Sequence, residues 1–161
     1  MKKFFCLHGL PRAGNTLLGS IINQNPKVAV TANSVIADML CELYILKHTD
    51  IFKNFPDHKS FDNVTKSLIQ TYYKDWPQDY IIDRNPWGFP INLKFLKRVQ
   101  DEIKIIVLVR DVSEILASFI KWSERESTSF VNQYAAKTIE EKCDMLMLSL
   151  IHISEPTRLH G

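Results

Sequence analysis

The chain has 161 residues, 45% apolar and 24% charged, with 5 glycines and 7 prolines. That composition excludes a collagen-like, low-complexity or disordered polypeptide, and the length suffices for one sizeable core without disulfides or metal. Lys and Arg number 20 against 18 Asp and Glu, a net charge of +2. A dedicated nucleic-acid binder carries a larger basic excess, so no nucleic-acid partner is expected; a small anion needs only a local basic site.

In chain order, Lys3 to His8 is a short apolar run that closes on Gly9 and reads as a buried strand. Gly9 to Asn15 reads as a turn-rich loop, and Thr16 to Asn23 as a helix that stops near Pro26. Asn33 or Ser34 is placed to cap a second helix, with Val35, Met39, Leu40, Leu43 and Leu46 on one face. Residues 49–60 are polar and read as loop, Phe61 to Tyr73 as a weaker helix, and Tyr80 to Asp83 as a second strand. Pro90 suits the first position of a helix running to Val99. Lys104 to Val109 is the best strand, and Asp111 follows as N-cap of a helix from Val112 to Trp122, with a last helix within 129–148.

Uninterrupted apolar strands alternating with helices predict an α/β fold: a three-layer parallel sheet with helices on both faces, of the phosphate-binding-loop type. The apolar run Ile105–Val109 is too short to span a bilayer. Met1-Lys2-Lys3-Phe4-Phe5 resembles the charged front of a signal peptide, but His8, Gly9 and Pro11 break the apolar stretch. No membrane association is expected. Cys6, Cys41 and Cys143 are odd in number and no C-x-x-C occurs, so neither a disulfide framework nor a zinc site is indicated, and a cytoplasmic, reducing compartment is expected.

In parallel sheets ligands sit beyond the carboxyl ends of the strands. Arg12, Arg84 and Arg110 each follow a predicted strand, so three cations converge on one sheet edge, as an anion with several charges requires. Gly9 to Thr16 has the frame G-x-x-x-x-G-x-T. This is a phosphate-cradling loop with Asn15 where a lysine would stand, and the helix after it points its positive end at the same place. Arg12 supplies a planar fork suited to an oxyanion in place of the missing lysine. An ordinary strand-to-helix turn remains the bland reading of the glycines.

The stretch Phe5–Leu18, with Pro11-Arg12-Ala13-Gly14-Asn15-Thr16, resembles the 5′-phosphosulfate loop of sulfotransferases. Val107-Leu108-Val109-Arg110-Asp111, with Ser118 eight residues after the arginine, resembles that family's 3′-phosphate segment. The likeness covers residues 4–123 and is nearest the protein-tyrosine and bacterial-type branch. It implies the donor 3′-phosphoadenosine 5′-phosphosulfate (PAPS), without a metal. Arg12, Ala13, Gly14, Asn15 and Thr16 would bind the 5′ side, and Arg110 with Ser118 the 3′-phosphate. A small molecule, carbohydrate or peptide would offer the accepting hydroxyl or amine.

Arg84 falls where tyrosine-type relatives carry a lysine that meets the transferring group. Asn85 falls where cytosolic sulfotransferases carry a histidine base, and Asn33 where tyrosine-type enzymes carry glutamate. Neither asparagine takes a proton, so Asp83, Asp38 and His8 remain as candidate bases. Asp83 is preferred, and His8, inside the strand, reads as a structural histidine. Trp87 reads either as cover over an acceptor pocket or as core. The alternatives are a small-molecule kinase or NTPase sharing the glycine frame, and a degenerate nucleotide-binding module. Residues 149–161 resemble the translation of a sequencing-adapter remnant, so residues 1–148 are expected to be the N-terminal part of a larger sulfotransferase domain followed by a non-native tail.

Overall fold

The computed structural model describes residues 2–125 and, further on, Thr138, Glu140, Glu141, Cys143 and Asp144. The described elements are β1 (Lys3–Gly9), α1 (Asn15–Ile22), β2 (Val28–Val30), α2 (Ile36–Leu46), α3 (Asp50–Asn54), α4 (His58–Tyr72), β3 (Tyr80–Arg84), α5 (Pro90–Val99), β4 (Ile105–Leu108) and α6 (Val112–Arg125). The strands form one parallel sheet in the order β2-β3-β1-β4. The α/β class read from the sequence is the one observed.

Two elements lie outside the sequence expectations. β2 has three residues, too few for strand periodicity to register. α3 is a short helix inside the polar stretch, announced only by Thr49, whose Oγ1 accepts from the Phe52 N–H. α4 begins at His58 rather than Phe61 because the Asp57 carboxylate accepts from the Ser60 N–H, a side-chain cap that apolar periodicity ignores. At α2 it is Ser34, not Asn33, whose side chain accepts a helix-entry N–H, from Ile36. Pro90 opens α5 and Asp111 accepts from the Ser113 N–H at the start of α6, both as expected. Of the helix expected within 129–148, Glu140, Glu141, Cys143 and Asp144 are helical and the rest lies outside the described residues. The segment 149–161 lies outside them as well.

Alternation along the strands distributes the core. Phe4 and Cys6 of β1, Ala29 of β2 and Ile81 of β3 pack with Ile36 and Leu40 of α2, Ile69 of α4, and Phe95 and Leu96 of α5. The opposite face carries α1, whose Gly19 lies so close to Val30 of β2 that a Cβ would stand 3.2 Å from Cγ1. It also carries α6, whose Ile115 and Phe119 pack with Ala13 and reach Leu108 of β4. Helices therefore cover both faces. β1 lies inside the sheet, between β3 and β4, so its carboxyl end opens between the exits of two neighbours. No helix among the described residues is long and apolar enough to cross a membrane.

Leu96 is fully buried in the larger cluster. Leu96→Ala is expected to cost about 2–5 kcal/mol from lost transfer energy plus the cavity left behind. The check is a lower urea midpoint with an unchanged m value.

Candidate active site

The site is built around the connection from β1 to α1. β1 ends at Gly9, where a Cβ would overlap Asn15 Oδ1 and stand 3.0 Å from the Leu108 carbonyl oxygen. The chain then turns sharply: the Ala13 N–H donates to the Leu10 carbonyl at 3.0 Å, and Arg12 (φ 66°) and Gly14 (φ 107°) both adopt left-handed backbone. Gly14 takes that conformation without a Cβ penalty, whereas Arg12 pays about 1–2 kcal/mol, which the surrounding loop must supply. Asn15 Nδ2 donates to both the Gly9 and Leu10 carbonyls at 3.0 Å, which ties the loop to the first turn of the helix. Among the described residues no side chain caps α1 at Gly14, so the first-turn N–H groups and the positive helix end face whatever occupies the loop.

A cleft of about 690 Å³ lies at this carboxyl edge. Into it converge Arg12, Gly14, Asn15 and Thr16 from the loop, Arg84 from the end of β3, and Arg110 with Ser118 from beyond β4. The arginines are already interlocked. Arg84 Nη1 donates to Thr16 Oγ1 at 2.8 Å, Arg12 Nε to Ser118 Oγ at 3.0 Å, and Arg110 Nη1 to the Arg12 carbonyl at 3.0 Å. Arg110 also pairs with Glu114 at 2.8 Å, so its ordinary surface role and its place in the cleft coexist. A guanidinium has five N–H donors. One bond each from Arg12 and Arg84 leaves most of both forks open to an anion.

Two expected site residues stand elsewhere. Ala13 is 8% exposed and packs against Ile115 and Phe119; it anchors the loop to α6 and does not line the cleft. Asp83 is completely buried and does not line it either. Its Oδ2 accepts from the Tyr73 hydroxyl, and its Oδ1 accepts from Asn85 Nδ2 at 2.8 Å and Trp87 Nε1 at 2.9 Å. A carboxylate with three donors and no path to a substrate is a structural node, which corrects its assignment as proton acceptor. Burial, together with the charge of Asp83, pushes the Cys6 thiol and the Tyr73 hydroxyl well above their ordinary ranges. Trp87 is core, not a pocket cover, and Asp38 sits on an exposed face of α2, away from the cleft.

The node shapes the exit of β3. Asn85 Nδ2 also donates to Ser34 Oγ at 2.7 Å, and the Arg84 N–H donates to Thr31 Oγ1 at 2.8 Å. The turn carrying Arg84 is thereby fastened to the segment leading into α2. Asn33, from that same segment, lines the cleft, as do Asn85 and Phe89. So does His8, which the sequence reading took as structural; it is only half-buried, and although it still pairs with Val107 of β4, the ladder to β3 ends one residue earlier, at Leu7.

In this parallel α/β fold the first strand runs into a glycine-turned loop on which three arginines converge. A family model described as the sulfotransferase family matches residues 5–155, and the chain belongs to that family. Sulfuryl transfer is the general activity this membership supports. No curated protein matches the chain.

Tyr73→Phe deletes one donor to the buried Asp83 without changing shape. The expected loss is about 1–3 kcal/mol of stability, the cost of leaving a buried acceptor short of a partner. Chemical denaturation of the variant against the parent measures it.

Proposed function

We propose that the cleft binds PAPS and that the protein transfers its sulfuryl group to a hydroxyl or amine of a small-molecule, carbohydrate or peptide acceptor. The observation that carries this reading is the convergence of Arg12, Arg84 and Arg110 on the turn between β1 and α1, in one cleft with Thr16 and Ser118. When bound, the nucleotide supplies an activated sulfuryl group attached to a good leaving phosphate. The chain's contribution is position and field.

In this reading the loop N–H groups, Thr16 and Arg12 hold the 5′ end, where negative charge grows as the group departs. Arg84, hydrogen-bonded to Thr16, stands at the sulfuryl side. Arg110 and Ser118 take the 3′-phosphate, and the contacts from Arg110 to the Arg12 carbonyl and from Arg12 to Ser118 couple the two ends. Such a site suits a donor anionic at two separated points. A phosphoryl-transferring reading of the same loop calls for a lysine where Asn15 stands, and the Asn15 amide is committed to two loop carbonyls.

Calorimetry of the full chain with 3′-phosphoadenosine 5′-phosphate tests the reading. Arg12→Ala and Arg110→Ala should each weaken binding about 10- to 100-fold, the worth of a hydrogen bond to a charged group. Affinity should also fall as salt screens the cleft. No binding by the folded parent, or unchanged affinity in both variants, would overturn it.

A further inference from the structure

With Asp83 withdrawn into the core and asparagine at positions 33 and 85, the cleft needs another group to take the acceptor's proton. We propose that His8 is that group: its imidazole, at the carboxyl end of β1, is the proton acceptor for the hydroxyl that attacks the sulfuryl group. The inference rests on the sulfotransferase reading above.

The geometry supports it in three ways. First, the ring lines the cleft together with Arg84, Asn85 and Thr16. Second, Nδ1 is buried and, among the described residues, has no hydrogen-bond partner of good geometry. Buried nitrogen lone pairs are rarely left so, and one beside a ligand cleft is explained by a donor that arrives with the ligand. Third, packing fixes the ring where it stands. Phe89 meets it edge-on with centroids 5.2 Å apart, and Gly88 lies beneath it, where a Cβ would stand 2.6 Å from Nε2.

The ring's protonation state suits the task. Burial lowers its pKa below the ordinary 6.5 and so favours the neutral ring, against a smaller opposing pull from a hydrogen bond to the Asn85 backbone. The charged and titratable groups around it are Arg12, Arg84 and Arg110 across the cleft, and Cys6 and Asp83 on the strands behind; Phe89 brings no charge from the α5 side. The step balances simply. The acceptor oxygen forms a bond to sulfur, and the bond from sulfur to the 5′-phosphate oxygen breaks, with its electron pair leaving on the phosphate. The hydroxyl proton moves to the imidazole and then to solvent.

The test compares two acceptors in the full chain with PAPS: 4-methylphenol, protonated at neutral pH as tyrosine is, and the far more acidic 4-nitrophenol. His8→Gln should lower kcat with 4-methylphenol by about 10²–10⁴-fold and abolish the loss of rate on acidification. With 4-nitrophenol, which needs no base once ionised, the loss should be far smaller. Affinity for 3′-phosphoadenosine 5′-phosphate should be retained, with His8→Asn as the second variant if Gln disturbs it. Should neither phenol be sulfated, the same comparison is read on the slow release of sulfate to water. In the parent, the His8 ring followed by NMR should titrate below 6.5 and shift when 4-methylphenol joins the product nucleotide. Equal losses with both phenols, no loss with either, an unchanged rate of release to water, or an unmoved His8 signal would overturn the assignment. Failure of the parent to bind the product nucleotide would instead overturn the sulfotransferase reading.

Discussion

The site depends on one amide. Asn15 Nδ2 holds the carbonyls of Gly9 and Leu10, and by doing so fixes where β1 stops and α1 begins. A backbone turning this tightly must find partners for its own polar groups before it can offer any to a ligand. Two of the loop's carbonyls are so engaged from within. Gly9 has to lack a Cβ because the Asn15 side chain packs against it, and Arg12 is held in a left-handed conformation that its own preference opposes. Ala13, pressed against Ile115 and Phe119, supplies the packing that keeps the loop in that shape.

Asp83 is the second fixed point. It gathers Tyr73 from the end of α4, Trp87 and Asn85, and Asn85 passes the connection on to Ser34. A buried carboxylate without donors would be strongly destabilising, so each partner is under strong energetic constraint. The exit of β3 thereby becomes rigid, and Arg84 leaves it in a defined direction, toward Thr16. The loop and the β3 exit are thus separately braced and meet through one bond between an arginine and a threonine. Both braces hold in place polar groups that line the cleft.

Much of the site was legible because its signals are local. The glycines, the loop arginine and the hydroxyl of Thr16 stand within eight residues, and the strand exits were marked by apolar runs ending in Arg84 and near Arg110. Asp83 misled for a physical reason. An acidic residue one position before a strand-exit arginine reads as part of the same charged turn, yet strand alternation sends the two side chains to opposite faces, one to the core and one to the cleft. His8 misled in the opposite sense. A histidine inside an apolar strand reads as core, but it stands near the carboxyl end of β1, one residue beyond the last β3 pair, and the cleft lies at that end.

Periodicity and short-range spacing were enough for the parallel α/β class, the place of the glycine-turned loop and the three strand-exit arginines. Which polar groups face the cleft and which are spent inside was settled by the packing of distant segments. That choice depends on partners far apart in the chain: Tyr73 and Trp87 for Asp83, Ser118 for Arg12, Thr16 for Arg84. A side chain's role is set by whether its hydrogen-bonding capacity is already filled, and no local pattern records that.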